Sequence, residues 1–331
     1  MSLSPFHRLL LFPFAVLLSF IERKYKPNRI LKGSNLKLAK LAGSLSPASP
    51  LPSYRYEFAA AAAGSDLYIV GGIWLPSVWF PTNLVEVYSA QTKTWRTVAP
   101  YPKGIHHTAA VTVDGRVYVV GGNWIRIIPQ RCMYRYDPAQ NVWSELSPMP
   151  TARGAHVAVS IGSKIYAIGG GVNKRPVNVV EVYDTKTNTW ETKRPMPTAR
   201  EHIAGAVVQG KIHIVGGYAG TRFDNLTTHE VYDPETDTWE SRAPLPYEVS
   251  GLAAATIGDT LYIVGGEQGW AVSGEIHAYN PKTDSWTRCT NLPVARYALT
   301  ATAMGNTIHC VGGSGYLMGD DFRREHDVFT P

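Results

Sequence analysis

The sequence predicts an all-β fold: a β-propeller of six blades, each with four antiparallel strands, in which a strand near the N-terminus closes the last blade. Three periodic markers carry this. Glycine pairs recur at 71–72, 121–122, 169–170, 216–217, 265–266 and 312–313, spaced by 47 to 50 residues. An aromatic follows each pair in step: Tyr88, Tyr136, Tyr183, Tyr232, Tyr279 and Phe329. A tryptophan follows five of these: Trp95, Trp143, Trp190, Trp239 and Trp286. Repeats of about 50 residues with four strands each are the pattern of a propeller.

The stretch 149–197 shows one unit. An apolar run ends at Gly162-Ser163 and a second at Gly169-Gly170; after a polar loop a third ends at Tyr183-Asp184, and Trp190 opens a fourth. Short apolar runs bounded by Gly, Asn, Asp and Pro read as antiparallel strands. The glycine pair falls where a strand stops and other backbone passes close, a place that favours a residue without Cβ. Aligned on this unit, the blades run over residues 54–100, 104–148, 153–195, 200–244, 248–292 and 296–331.

First strands are rich in small residues, as in FAAAAAG at 58–64, IAGAV at 203–207 and LAAAT at 252–256. Six blades converge on the axis there, where bulky side chains would not fit. The tyrosines and tryptophans belong farther out, in the widening gaps between blades. Turns between first and second strands use Asp114-Gly115, Gly162-Ser163, Gly210-Lys211, Gly258-Asp259 and Gly305-Asn306, suited to positive φ.

The last repeat ends at Phe329-Thr330-Pro331 and has no fourth strand of its own. In each complete repeat the tryptophan stands seven positions before a turn proline, as in Trp190 and Pro197. Counting back seven from Pro52 reaches Leu45, inside SLSPASPLP, which matches TWETKRPMP with leucine for tryptophan. A strand at 43–49 is therefore expected to complete the sixth blade and remove an open sheet edge. The chain divides into a basic leader, 1–42, and a propeller, 43–331.

At the glycine pairs, tyrosines and tryptophans the chain resembles the kelch family, over residues 45–331. The resemblance implies a six-bladed kelch-type β-propeller; it says little about activity, because one fold hosts many. Residues 1–42 are too few for a BTB, BACK or F-box module, so none is expected here, and a role in ubiquitin ligation would need another polypeptide as adaptor.

Charge belongs mostly to the leader. Residues 1–52 hold eight basic residues against Glu22, a net of +7, while the whole chain carries +6, which leaves the propeller near −1. A near-neutral body argues against nucleic acid as a partner. Within the leader, residues 9–21 are apolar and are followed by Glu22-Arg23-Lys24-Tyr25-Lys26. Three readings stay open: a membrane anchor making contact through residues 9–26 with a cytosolic propeller, an export signal, or an organellar presequence.

The three cysteines (Cys132, Cys289, Cys310) are odd in number and scattered, and read as buried small hydrophobes. No CxxC, HExxH, Walker or GxSxG pattern occurs. No cofactor is expected. His106, His107, His156 and His202 lie near the starts of first strands without a carboxylate or cysteine at metal spacing, and are read as structural, with no metal site.

Function should lie in the loops, because strand positions are committed to packing. Second-to-third and fourth-to-first connections emerge on one face and are long and unlike one another: 73–84, 123–131, 171–178, 218–228, 267–274 and 314–325. They display Trp74, Trp79, Phe80, Trp124, Phe223, Trp270 and Tyr316. Aromatics around a concave mouth suit recognition, so Trp74, Trp124, Trp270 and Tyr316 are candidate ligand contacts. Arg55, Arg153, Arg200 and Arg296 occupy one repeat position just before the first strand, taken by Ile105 and Val249 in the second and fifth blades. This resembles kelch propellers of the ubiquitin-ligase adaptor kind, and the resemblance implies arginines that grip carboxylates of a peptide. The alternative is a scaffold arginine bonded to an acid or carbonyl of a neighbouring blade.

Two functions follow. The first is a non-catalytic, monomeric propeller that binds a protein or peptide, with an acidic ligand suited to the arginines. The second is an enzyme resembling six-bladed kelch propellers that interconvert sialic-acid anomers, with Glu201 or Glu248 as proton carrier.

Overall fold

The computed structural model describes residues 42–331 except 75–76, 126, 174, 222 and 317–320, and leaves the side chains of 77–79 undescribed. The leader readings therefore lie outside the described residues. Leu41–Pro331 forms one compact unit. No helix occurs among the described residues, hence none long and apolar enough to cross a membrane.

Six four-stranded antiparallel sheets follow one another in the chain. In the third, Val157–Ile161, Lys164–Ile168, Val180–Asp184 and Thr189–Thr192 lie in that order from axis to rim. The six first strands, from Ala59–Ala63 to Thr300–Met304, contact their neighbours around a closed circuit that includes the contact of last with first. The residues that line the axis are small, among them Ala60, Ala110, Ser160, Gly205 and Thr256, which lets the strands approach it.

The N-terminal strand is present. Ser44–Pro47 pairs antiparallel with His326–Thr330 as the outermost strand of the sixth blade. Leu45 stands opposite Phe329, as Trp190 stands opposite Tyr183 and Trp239 opposite Tyr232. Ring closure thus covers the edge of the last strand with a segment from the other end of the chain.

Tyrosine and tryptophan tie blade to blade. Each indole Nε1 donates to a carbonyl of the preceding blade's outer segment: Trp143 to Ala99 at 3.0 Å, Trp190 to Ser147 at 2.8 Å, Trp286 to Ala243 at 3.0 Å, and Trp95 to Ser49 of the N-terminal segment at 2.8 Å. The buried Tyr183 hydroxyl donates to Asn188 Oδ1, which also accepts from the Ser147 amide of the previous blade. Buried hydroxyl, indole and turn amide are thereby all satisfied, as burial of polar groups requires.

The glycine pairs form a second seam. The second glycine of each pair donates its N–H to the next blade, as Gly170 does to Arg200 O at 3.0 Å, and Gly313 returns to Arg55 O at 3.4 Å. All twelve have positive φ, and a Cβ on Gly169 would stand 2.9 Å from Arg200 O. Only glycine meets both conditions without strain.

Several expected loops are themselves β-structured. Ile73–Trp74 and Ser77–Pro81 pair with each other, and Arg55–Tyr56 joins them. In the fifth blade Thr260–Gln268 and Ala271–Asn280 run through the glycine pair as one ribbon with a register shift between Val264 and Gly266, so Trp270 sits in a tight hairpin and not in a long loop.

Candidate functional site

The narrow part of the propeller is built from one repeat position, two residues after the arginine position: Glu57, His107, Ala155, His202, Gly251 and Ala298. Each has positive φ, between 51° and 57°. Their peptides form a closed ring of hydrogen bonds. His107 N donates to Glu57 O at 2.8 Å, Ala155 to His107 at 2.9 Å, His202 to Ala155 at 3.0 Å, Gly251 to His202 at 2.9 Å, Ala298 to Gly251 at 2.8 Å, and Glu57 to Ala298 at 3.3 Å. The closed ring pairs the N–H and the C=O of each of these six residues with neighbouring blades, which fixes the side chains around the axis.

These residues and their successors line an axial cavity of about 100 Å³. Three positions are small, and the other three point chemistry into it. Glu57 Oε2 lies 3.4 Å from His107 Nε2, and Glu57 Oε1 lies 3.9 Å from His202 Nε2. His107 and His202 meet edge to face with ring centroids 5.0 Å apart, His106 Nδ1 touches His107 Nδ1 at 2.5 Å, and His202 stacks on Tyr218 at 5.0 Å.

One residue earlier in each blade, a reciprocal backbone pair joins the blade to the segment after its glycine pair: His106 with Asn123, Glu201 with Tyr218, Ser250 with Glu267, and Tyr297 with Ser314. Ser250 Oγ donates to Glu267 Oε1 at 2.9 Å. A mouth pocket of about 400 Å³ lies over this layer between blades two, three and four, lined by residues that include Asn123, Ile127, Glu201 and Tyr218 and sharing His107, Ala155 and His202 with the axial cavity.

Burial dominates the electrostatics. The Glu57 carboxyl is raised to about 8, by burial first and then by the Glu267 and Glu201 charges. Burial and the neighbouring His106 and His202 hold His107 well below the usual histidine range, and burial with His106 lowers His202 to about 4. Glu201 is raised by burial, against a hydrogen bond from Tyr218 that lowers it. Burial thus favours the neutral form of all three axial groups, a carboxylic acid beside two imidazoles.

The arginine expectation is corrected. Arg55, Arg153, Arg200 and Arg296 are each 0% exposed, inside the blades and not at the mouth. They pair within their own blade with Glu86 at 2.5 Å, Glu181 at 3.0 Å, Glu230 at 2.9 Å and Asp327 at 2.6 Å. The same guanidiniums donate to carbonyls, Arg55 to Gly71 O at 2.7 Å and Arg200 to Gly216 O at 2.7 Å. A guanidinium surrounded by backbone and one carboxylate has no face left for a ligand. The scaffold alternative describes them, with the partner in the same blade and not the next.

The aromatic candidates are exposed: Trp74 by 37%, Trp124 by 43%, Trp270 by 63% and Tyr316 by 57%. Trp270 packs against Phe223 with centroids 5.0 Å apart. Glu248 is exposed and lines a separate depression with Tyr247 and Gln268. The reading that the histidines lack a carboxylate is also corrected, since Glu57 stands between two of them. Its signal lay in the register: the alignment that sets Arg55, Ile105 and Arg200 in one position also sets Glu57, His107 and His202 in one position.

The family described as the KLHDC2/KLHL20/DRC7 Kelch-repeats domain matches residues 35–170 and 147–313. Kelch-like protein terF of Aspergillus terreus is 39% identical over 70 residues, 20% of this chain and 15% of its own. Kelch repeat and BTB domain-containing protein 12 of Danio rerio is 35% identical over 97 residues, 27% of this chain and 16% of its own. The chain is thus matched over well under two thirds of these relatives' lengths. Among solved structures, that of YjhT superposes with a TM-score of 0.74 at 18% identity, covering 86% of this chain and 97% of its own, which shows a common fold.

Proposed function

The chain belongs to the kelch-repeat family, and from that premise we propose that it is a non-catalytic recognition propeller that binds a protein or peptide on the face of its long connections. One observation carries the reading. Among the described residues, nine of the ten exposed large apolar side chains lie on second-to-third or fourth-to-first connections: Tyr54, Trp74, Phe80, Trp124, Ile127, Ile128, Phe223, Trp270 and Tyr316, with Val142 the exception. Apolar side chains gathered on one face, around a concave pocket, are what an interface core uses. Burial of the four arginines removes the reason to favour an acidic ligand, and apolar anchoring takes its place. Closure of the ring leaves no open edge at the seam, which supports a monomer.

Selection from a random peptide display library against the full-length protein tests this. The expected result is enriched peptides whose binding falls at least about tenfold in Trp124→Ser/Trp270→Ser, since anchor aromatics contribute on the order of 2 kcal/mol each. No enrichment, or peptides indifferent to the change, would sink the reading.

Glu57 favours a second reading, an enzyme on the same scaffold. A carboxyl held near 8 and placed 3.4 Å from an imidazole suits proton transfer at neutral pH. Glu57 would then carry the proton, alongside Glu201. If this is a sialic-acid mutarotase-like activity, the full-length protein speeds anomer exchange of N-acetylneuraminate followed by NMR, and Glu57→Gln abolishes the acceleration. Exchange at the uncatalysed rate would reject it.

A further inference from the structure

We infer that Glu57, His107 and His202 form a binding site for one divalent transition-metal ion of the zinc class at the axis of the propeller. The donors are two imidazole nitrogens and one carboxylate, all mutually within 4.8 Å. That donor set suits zinc, cobalt and nickel, and does not suit calcium or magnesium, which require oxygen.

The geometry needs contraction but no change of backbone. Metal–ligand bonds of about 2.0–2.2 Å in a tetrahedron place ligand atoms on the order of 3.3 Å apart. Glu57 Oε2 and His107 Nε2 are 3.4 Å apart, Glu57 Oε1 and His202 Nε2 are 3.9 Å apart, and one atom from each residue lies within 4.8 Å of the other two, so side-chain rotations that contract the set bring it to bonding distance.

Three further features make this more than a chance meeting of side chains. The three donors occupy one repeat position in blades one, two and four, and their backbones are held in the closed ring of hydrogen bonds. The remaining three positions in that ring are Ala155, Gly251 and Ala298, so none of them adds a bulky side chain, and the cavity, lined also by the residues that follow each position, measures about 100 Å³. His107 Nδ1 has His106 Nδ1 at 2.5 Å, the kind of hydrogen bond that orients a metal-binding imidazole, while the His202 ring is held by stacking on Tyr218 at 5.0 Å, its Nδ1 without a hydrogen-bond partner. Three protein ligands leave a fourth position for water or for a donor atom of a ligand. The mouth pocket shares His107 and His202 with the axial cavity, so that position is reached from the loop face.

The experiment uses full-length protein stripped with chelator, then titrated with Zn²⁺ by calorimetry and with Co²⁺ by visible absorption. The expected result is one ion per chain, with intense visible bands for cobalt on four-coordinate nitrogen and oxygen ligands. His107→Ala and His202→Ala should each weaken binding by at least about tenfold, and the double variant should abolish it. Alanine fits both positions, because Ala155 and Ala298 already take the equivalent backbone conformation at φ 53° and 52°. Unchanged thermal melting of the ion-free variants confirms that they fold. Glu57→Gln provides an independent variant without loss of volume, and should weaken zinc to a similar degree. No binding by the wild-type protein, or binding that survives in the folded double variant, would overturn the site.

Discussion

Arg200 Nη2 and Glu230 Oε2 meet at 2.9 Å inside the fourth blade, both shut off from solvent. The position two residues before the third-strand aromatic holds Glu86, Glu181, Glu230 and Asp327 in the four blades that keep the arginine. The two blades that replace the arginine, with Ile105 and Val249, also replace the acid, with Tyr134 and His277. A buried charge is tolerable only with its partner, so the two positions change together.

It follows that Arg200→Val alone leaves Glu230 as an uncompensated buried charge and destabilises the protein by about 3–5 kcal/mol. Arg200→Val with Glu230→His reproduces the fifth-blade pair and should cost clearly less than the two single changes added together. Urea unfolding of the four proteins in a double-mutant cycle measures the difference. Additive effects would contradict the pairing.

Acid should unfold the protein through its outer histidines. Burial, with nearby His229, Arg242 and Lys211, lowers His213 to about 3; burial lowers His229 to about 4, and burial with His309 lowers His326 to about 4. Burial lowers His309 as well. The unfolded chain carries these groups near 6.5, so below that pH it binds more protons than the folded chain. Their contribution is complete above about pH 6.5 and is lost as pH falls toward 4, by up to about 1.4 kcal/mol per histidine per pH unit. Glu57 and Glu201, both raised, act in the opposite direction over part of this range. The urea midpoint should therefore fall between pH 7 and pH 5; a flat or rising midpoint would show that these histidines are not buried as described.

Thiol chemistry should be silent in the native state. Cys132, Cys289 and Cys310 are all free and buried, and burial raises Cys310 to about 12 despite nearby Arg296. Because only the thiolate reacts, a maleimide or aromatic disulfide reagent should label none of them in native protein and all three in urea. Rapid labelling of the folded chain would contradict the packing.

The sequence displayed the ring because propeller geometry repeats, and a repeated requirement leaves a repeated residue. The glycine pairs need positive φ and close approach, Trp190 and its equivalents need a carbonyl in the previous blade, and Leu45 betrays the displaced strand by matching their spacing. The arginines are equally visible, but their direction is not. Periodicity shows that a position matters without showing which way the side chain points, and the matching acid at Glu230 and its equivalents was the clue that they point inward. Glu57, His107 and His202 leave the faintest trace in the sequence. Their chemistry exists only where unlike residues from separate blades converge on an axis, and a site made of differences leaves no repeated mark. The ribbon carrying Trp270 was also hidden, since strand continuation through Gly265-Gly266 depends on a register shift that no local pattern announces.

Everything assigned to the loop face and the axis depends on the seam where Ser44–Pro47 lies against His326–Thr330. Hydrogen exchange followed by mass spectrometry reads it directly. The account predicts that amides of both strands exchange slowly and with similar rates, and that removing residues 1–49 makes those of residues 326–330 exchange fast and lowers the melting temperature. Fast exchange across residues 44–47 in the intact chain, or a truncated chain that melts and exchanges like the whole, would contradict it.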